Sequence, residues 1–293
     1  MEAVRTWVGR RRGKLETSSD WDLWLDRYAE HVYLEGDSAH KVRLAIYGTA
    51  FCLELPARSP QTFPRAKRAL AGFKKLDPER MRDPPPTEAV WIVASSLLQA
   101  GHPLMAAATL LQFDTYLRPG SLLSLEARHV TTVKRAHKQE TILTIAPVGD
   151  QPLKNYQFDM SLIVGFAGRT WAPQLIRKML RRPGRADRLL FPFSGAQYGV
   201  HISDACTKTG LTQRGLRFTP HGLRHAGPSA DMYLDLTTLE AVKSRGMWLA
   251  TDSVRRYGKP AALLRQCAKL TAFQRAEATR ISRDLVPKLL SAL

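Results

Sequence analysis

Apolar residues in the first third of the chain recur with the period of an α-helix. From Ser19 they fall at positions i, i+3, i+4, i+7 and i+11, namely Trp21, Trp24, Leu25, Tyr28 and Val32. This spacing places them on one face of a helix. A second helix is predicted after Ser38 to about Leu55, and a basic helix after the break at residues 56–64. The first part of the chain is therefore predicted to be an all-helical unit.

The run Asp83-Pro84-Pro85-Pro86 predicts a linker, because consecutive prolines cannot continue a helix. We therefore expect two domains, residues 1–83 and residues 84–293. The segment Met1 to Glu16 is basic and lacks the apolar core of a secretory signal, so no such signal is expected. Within this basic N-terminal arm the run Arg10–Lys14 is expected to be a solvated tail, with a nuclear address or a phosphate-contacting arm as the alternatives.

The second domain is predicted to be mainly helical with a small inserted antiparallel sheet. Helices are expected from Thr87 to near Gly101 and from Pro103 to Leu117. The β-branched run Thr141–Ile145 predicts a strand, and Tyr156–Leu162 predicts its return strand in a hairpin. Further helices are expected at 172–182, 195–209, 221–234, 237–245 and 253–257, with one or two more in 260–293.

Charge indicates the class of partner. The chain has 44 Lys and Arg against 26 Asp and Glu, a formal net charge of +18. Such an excess favours a polyanion, because each neutralised phosphate releases counterions. A nucleic acid is therefore the expected partner, and the resemblance described below narrows it to double-stranded DNA.

The cysteines and the most apolar stretch of the chain indicate the cellular compartment in which the protein is expected. Cys52, Cys206 and Cys267 lie far apart with no C-x-x-C pair, which is typical of free thiols in a reducing compartment. The stretch Ala89–Phe113 is interrupted by polar residues and a proline, whereas a membrane span needs about 20 apolar residues in a row. We expect an intracellular protein without a membrane span.

Four short motifs carry the candidate chemistry. They are Thr115-Tyr-Leu-Arg118, His221-Gly-Leu-Arg224, Gly246-Met-Trp248 and Tyr257, which stands nine positions after Trp248. Arginines suit the non-bridging oxygens of a phosphodiester, because the guanidinium is planar and always charged. The sequence has no metal-ligand spacing of the H-E-x-x-H or carboxylate-cluster kind, so neither a metal nor another cofactor is predicted.

In this order and spacing the motifs resemble the tyrosine recombinase family, the phage-integrase type. That family carries an arginine after a T-x-L turn, a lysine in a β-hairpin, H-x-x-R, a His or Trp after a glycine, and a tyrosine nine positions later. The resemblance covers about Thr87 to Lys259 well. It covers the N-terminal helices only in general character.

The resemblance implies a role for each matching residue. Arg118 and Arg224 would clamp the scissile phosphate, and His221 would hydrogen-bond it or assist proton transfer. Trp248 would donate its N–H to the phosphate and line the site. Tyr257 would attack phosphorus, leaving a 3′-phosphotyrosyl link and a free 5′-hydroxyl.

The general acid is the family's hairpin lysine, and three lysines are candidates. Lys154 is preferred, because it would lie at the tip of the predicted hairpin. Lys134 and Lys138 precede the predicted first strand and fit less well. His225 is expected to pack against its neighbours or orient them.

Two positions depart from the family pattern. Ser121 stands where the family usually has an acidic residue, three positions after the first arginine. Pro228 lies in the helix of Arg224, where a proline removes one backbone donor and is expected to kink or restart the helix.

The resemblance implies a helical, core-binding-like domain that clamps DNA, followed by a catalytic domain. It implies site-specific recombination or integration by a homo-oligomer, a synaptic tetramer with a C-terminal helix docked on a neighbour. The compartment would be the nucleus in a eukaryote, or the cytoplasm or nucleoid in a bacterium or phage. Two alternatives stay open, a type IB topoisomerase-like enzyme and a non-catalytic DNA-binding remnant of a mobile element.

The net charge generates a first prediction. If six to ten phosphates are neutralised, DNA affinity should fall by about 10³–10⁵ between about 50 and 200 mM salt. An anisotropy titration at several salt concentrations measures the slope. A flat salt response would contradict a DNA clamp.

Overall fold

Two compact units make up the chain, residues 1–81 and residues 82–293. The structure is a computed structural model that describes residues 1–77, 83–135, 138–150, 159–258 and 260–293. Each unit has its own apolar core. The predicted fold class, mainly α with a small antiparallel sheet, is confirmed.

The first unit is all-helical, as predicted. Its helices are α1 Glu2–Gly9, α2 Ser18–Leu34, α3 Ala39–Cys52 and α4 Pro64–Leu76. Helix α2 starts with a capping box in which Thr17 and Asp20 bind each other's backbone N–H. The buried carboxylate of Asp22 accepts from the N–H groups of Arg65 and Ala66, at 3.1 and 2.9 Å. It thereby fixes the positive end of α4 against α2.

Residues 2–9 form helix α1, which was not predicted. Val4 and Val8, one helical turn apart, are each 1% exposed in the core of the first unit. Trp7 packs edge-on against Trp24. Two valines and one tryptophan are enough to bury one face of a short helix, even though the other face is basic.

The second unit is built around two apolar helices and the helices that cover them. Its helices are α5 Thr87–Gln99, α6 Pro103–Thr115, α7 Pro119–Leu123, α8 Trp171–Leu180, α9 Gly195–Lys208, α10 Pro220–Tyr233, α11 Leu239–Arg245, α12 Asp252–Arg255, α13 Pro260–Ala268 and α14 Ala272–Ala292. Every residue of α6 from Met105 to Thr115 is buried. Helix α6 is therefore the central helix against which the others pack.

Helix α10 lies directly on α6, and Gly227 permits the close approach. A Cβ atom at Gly227 would lie 2.0 Å from the carbonyl oxygen of Phe113, so only glycine fits. The expected restart at Pro228 is not found, since α10 runs through this buried residue without interruption. Tight packing on α6 holds the helix together where one backbone hydrogen bond is missing.

The sheet has three antiparallel strands in the order β1-β2-β3. They are β1 Val130–Arg135, β2 Lys138–Ile145 and β3 Met160–Ile163. Leu143, Ile145 and Leu162 are buried in the core of the unit. The sheet is therefore anchored on one face by its second and third strands.

Strand β1 was not predicted, and this corrects the placement of two lysines. Lys134 pairs with Gln139 inside the β1–β2 ladder, and Lys138 begins β2, so neither precedes the first strand. The strand lies at the edge of the sheet, and residues 131–134 are all exposed. Without a buried face it lacks the alternation of apolar and polar residues by which strands are predicted.

The C-terminal residues form two helices, and the second completes the core of its own unit. Ala278, Ile281, Leu285 and Leu289 of α14 are buried in that core. The expectation that the tail docks on a neighbouring copy is therefore wrong for the apolar face of α14. No helix in the described ranges is long and apolar enough to cross a membrane.

Candidate active site

Arg118 is presented by a sharp turn at the end of α6. Tyr116 adopts a left-handed backbone conformation, with φ of 60°, and directs the chain away from α6. The side-chain amide of Gln112 donates to the carbonyls of Leu117 at 3.1 Å and Pro220 at 2.8 Å. One buried glutamine thus ties the Arg118 turn to the start of α10.

Helix α10 presents three candidate residues on one side. Thr219 caps it by accepting from the N–H of Gly222 at 3.2 Å. His221, Arg224 and His225 follow with the i, i+3, i+4 spacing that brings side chains together on a helix. His221 is exposed in the first turn, whereas Arg224 is 2% and His225 is 9% exposed.

Arg224 is held by the segment that carries Trp248. Its Nη2 donates to the carbonyl of Gly246 at 2.6 Å, and its guanidinium lies 4.2 Å from the Trp248 ring centroid. A Cβ atom at Gly246 would lie 1.6 Å from that indole ring, so glycine is required here. The close packing of the Trp248 ring therefore explains why this fold has a glycine at position 246.

Tyr257 lies against α10 and Trp248. The side chain is 4% exposed, and its ring centroid is 5.1 Å from that of Trp248. Its hydroxyl is 2.6 Å from Nδ1 of His225, and the two rings are stacked. The predicted nucleophile is thus in direct contact with the histidine that was expected only to pack or to orient its neighbours.

The two arginines are electrostatically coupled. Burial lowers the pKa of Arg224 to about 9, and the charge of Arg118 lowers it in the same direction. Burial also lowers the pKa of Arg118. Within the described part of the chain neither guanidinium forms an ion pair with a carboxylate. Two adjacent cations without a counter-charge favour the binding of an anion.

A pocket of about 860 Å³ opens beside these cations. Arg118, Ser121 and His221 line it, so the position where the family has an acid faces the pocket as a neutral serine. Arg128 also lines the pocket, and it binds Glu126 and Asp150. The negative charge of these two carboxylates is thus already paired.

Asp231 is the first carboxylate of a buried network beneath the site. It accepts from the Tyr116 hydroxyl and from both terminal nitrogens of Arg169, with Nη1 at 3.0 Å. Asp231 and Tyr116 are both 0% exposed. Burial, with the neighbouring charge of Asp231, raises the pKa of Tyr116, so its hydroxyl stays a donor.

Asp114 is the second carboxylate of this network. It accepts from Nη2 of Arg245 at 3.2 Å and from the N–H of Gly165 at 2.9 Å. Arg245 also donates to the backbone carbonyls of Asp114 and Ile163 at 2.9 Å each. The network therefore joins α6, α10 and α11 to the end of β3.

The network positions the backbone next to both site arginines. Tyr116 is two residues before Arg118, and Arg245 directly precedes Gly246, whose carbonyl holds Arg224. Sequence reasoning missed these supporting residues. A usable signal was present, since Asp114 is the sole charged residue of α6 and Asp231 the sole acid of α10.

Five of the six predicted site residues come together in the second unit. They are Arg118, His221, Arg224, Trp248 and Tyr257. Lys154 falls in residues 151–158, outside the described ranges, and follows β2 and precedes β3 in the sequence. The catalytic role of each of the six residues stays a prediction.

Comparison with known proteins identifies the fold. No protein-family model and no curated protein sequence matches the chain. The fold is that of the tyrosine recombinases, which confirms at the level of the fold the resemblance drawn from the motifs. The Tn1549 transposon integrase in complex with circular intermediate DNA has a TM-score of 0.55 at 15% identity, over 88% of this chain and 84% of that chain.

Two further solved structures are similar to the chain. XerA recombinase has 16% identity and a TM-score of 0.47, over 92% of this chain and 98% of that chain. XerH site-specific recombinase, bound to its difH substrate in a pre-cleavage complex, has 14% identity and a TM-score of 0.48. That match covers 85% of this chain and 69% of the other.

The buried network generates a stability prediction. Asp231→Asn keeps the shape but leaves Arg169 only its longer contact with Asp114, from Nη1 to Oδ1 at 3.8 Å, so the free energy of unfolding should fall by up to about 3–5 kcal/mol. Urea unfolding measures it. Glu277→Gln is the control, because Glu277 pairs with Arg280 on the surface of α14, where a pair contributes less than about 1 kcal/mol. Equal losses in the two variants would contradict the assigned importance of the network.

Proposed function

We propose that this protein cleaves and rejoins DNA strands through a 3′-phosphotyrosyl intermediate, with Tyr257 as the nucleophile. The observation that carries the proposal is the contrast between two pairs of arginines. Arg169 and Arg245 are neutralised by buried carboxylates, whereas Arg118 and Arg224 have no carboxylate partner among the residues that the structure describes and lie close to Tyr257. Unpaired guanidinium groups next to a nucleophile suit a phosphodiester.

Each side chain has a role that its surroundings support. Arg118 and Arg224 hold the non-bridging oxygens and stabilise the charge that grows on them in the transition state. His221, exposed at the pocket, hydrogen-bonds the phosphate. Trp248 fixes Arg224 by covering its guanidinium. The energy of the broken bond is conserved in the phosphotyrosine, so rejoining needs no nucleotide cofactor.

Burial of the site sets a condition on catalysis. Arg224 is 2% and Tyr257 is 4% exposed, so a phosphate cannot reach them in the arrangement described. Trp248 or the segment 252–258 has to shift when DNA enters. Association with DNA is therefore coupled to a local rearrangement of this segment.

Double-stranded DNA is the substrate that charge and fold favour together. The net charge is +18, and helix α4 of the first unit exposes Arg65, Arg68, Lys74 and Lys75. The first unit would hold DNA through such phosphate contacts while the second performs the chemistry. We further propose that recombination, site-specific or integrative, takes place in a homo-oligomeric synapse.

The decisive experiment is trapping of the covalent intermediate. Nicked duplexes of varied sequence lose a short 5′-hydroxyl fragment after cleavage, so the protein–DNA link cannot be reversed. A denaturation-resistant adduct is expected with the wild-type protein. DNA binding without an adduct would indicate a non-catalytic remnant, and relaxation of any supercoiled plasmid would indicate a topoisomerase.

The nucleophile is tested by Tyr257→Phe. This variant should form no adduct and keep nearly full DNA affinity, because the ring still packs against Trp248 and His225. Tyr233→Phe is the matched control, since Tyr233 is 44% exposed at the end of α10. An adduct that persists in Tyr257→Phe and disappears in Tyr233→Phe would move the nucleophile to Tyr233.

The proposed acid is tested by Lys154→Ala. Loss of a positioned acid should slow cleavage by about 10²–10⁴-fold. A substrate with sulfur in place of the bridging 5′ oxygen should restore the rate, because a thiolate leaves without a proton. The same substrate should not rescue Arg224→Ala, whose lost charge acts on the non-bridging oxygens. Cleavage of the ordinary substrate by Lys154→Ala at the wild-type rate would direct the search to Lys134 and Lys138.

A further inference from the structure

The contact between His225 and Tyr257 has a geometry suited to proton transfer. Nδ1 of His225 is 2.6 Å from the Tyr257 hydroxyl, within the range for a short hydrogen bond between a phenol and an imidazole. The ring planes are inclined by 29°, with centroids 5.5 Å apart. Both side chains are buried, so bulk water has little access to this proton.

Helix α10 fixes the position of His225. It directly follows Arg224, on the part of the helix that lies on α6 through Gly227. Its ring is 5.2 Å from that of His221 in an edge-to-face arrangement. His221 lines the pocket, while His225 lies one turn deeper and meets the nucleophile. The two histidines are therefore placed for different tasks.

We propose that His225 is the base that takes the phenolic proton from Tyr257 during strand cleavage and returns it during rejoining. The proposal rests on the proposed function of the site and assigns a catalytic task to a residue that the motif pattern leaves outside it. The positioning of a phosphate is left to Arg118, Arg224 and His221.

The charges around His225 and Tyr257 favour transfer of the phenolic proton to the imidazole. Arg118 and Arg224 are electrostatically coupled to Tyr257, so a phenolate formed there would face two cations. The same cations favour an uncharged imidazole at His225 before DNA binds. The nearest acid of α10, Asp231, is engaged by Tyr116 and Arg169 beneath the site. A bound phosphate supplies the negative charge that lets His225 become an imidazolium.

The step balances in both directions. In cleavage the Tyr257 O–H bond breaks and an N–H bond forms at Nδ1 of His225, while the phenolic oxygen bonds to phosphorus. The bond from phosphorus to the 5′ oxygen breaks, and that oxygen takes a proton from the separate acid. In rejoining the 5′-hydroxyl returns its proton to the separate acid as its oxygen bonds to phosphorus, the bond from phosphorus to the phenolic oxygen breaks, and the imidazolium returns its proton to that oxygen.

Two substitutions of His225 distinguish a general base from a residue that only positions the Tyr257 ring. His225→Asn places an amide near the position of Nδ1 and can still hydrogen-bond the phenol, but it cannot accept the proton. His225→Ala removes both functions. His201→Ala is the control, because the His201 ring packs at a tilt against His102 and takes no part in the site described. Single-turnover adduct formation on the nicked duplexes is measured across pH, with thermal unfolding to verify folding.

If His225 is the base, cleavage by His225→Asn should be about 10²–10⁴-fold slower than wild type. The rise of the wild-type rate with pH that a histidine base produces should disappear in His225→Asn. Added imidazole should restore part of the rate of His225→Ala, and His201→Ala should behave as wild type. A His225→Asn variant that cleaves at close to the wild-type rate overturns the proposal, whatever the Ala variant does.

A measurement without DNA keeps the proposal testable if the wild type forms no adduct. Side-chain ¹⁵N NMR of His225, assigned with the Asn variant, reports which ring nitrogen carries a proton. A base requires Nδ1 to be unprotonated and to accept from Tyr257, with a signal that shifts in Tyr257→Phe. A proton on Nδ1 at neutral pH overturns the assignment. An adduct-free wild type with the accepting tautomer overturns the proposed function instead.

Discussion

The second unit holds two guanidinium groups close together, and neither has a carboxylate partner among the residues that the structure describes. Arg118 comes from the turn after α6 and Arg224 from α10, and their mutual repulsion adds to the cost of burial. The surroundings offset this cost by neutral contacts, the Gly246 carbonyl and the face of Trp248. A carboxylate would be the more stabilising partner, but it would occupy the place where the proposed function puts a phosphate. Under that proposal the arrangement sacrifices stability for function, as active sites commonly do.

Two buried carboxylates, Asp114 and Asp231, lie beneath the site. Asp114 and Asp231 neutralise Arg169 and Arg245 in the interior and hold the backbone of Tyr116 and of α11. Tyr116 takes a left-handed conformation that costs a non-glycine residue about 1–3 kcal/mol. Its buried hydroxyl and ring contacts offset that strain. The carboxylates that support the site are thus Asp114 and Asp231 beneath it, and the neutral Ser121 supplies no charge.

Helix α10 connects the anion site to the nucleophile. Arg224 and His225 are consecutive residues, and one engages the Gly246–Trp248 segment while the other engages Tyr257. Any shift of α10 would therefore move both together. Because α10 lies on the wholly buried α6, with Gly227 at the crossing, such shifts are restrained by the core. The segment of Trp248 and Tyr257 instead lies over this helix, with the Trp248 ring against the Arg224 guanidinium.

The sequence by itself determined the helical pattern and the mainly α class. Through the order and spacing of its motifs it also determined which residues the fold brings together, namely Arg118, His221, Arg224, Trp248 and Tyr257. These features are local or follow a short spacing, so they are readable from one chain. Only the tertiary structure decided the exposed edge strand β1, the burial of α14 in its own core, and the contact of His225 with Tyr257. It alone also paired Asp114 and Asp231 with arginines distant in sequence. An edge strand lacks a periodic signal, and a buried acid finds its partner only when the chain has packed, because that choice depends on distance in space.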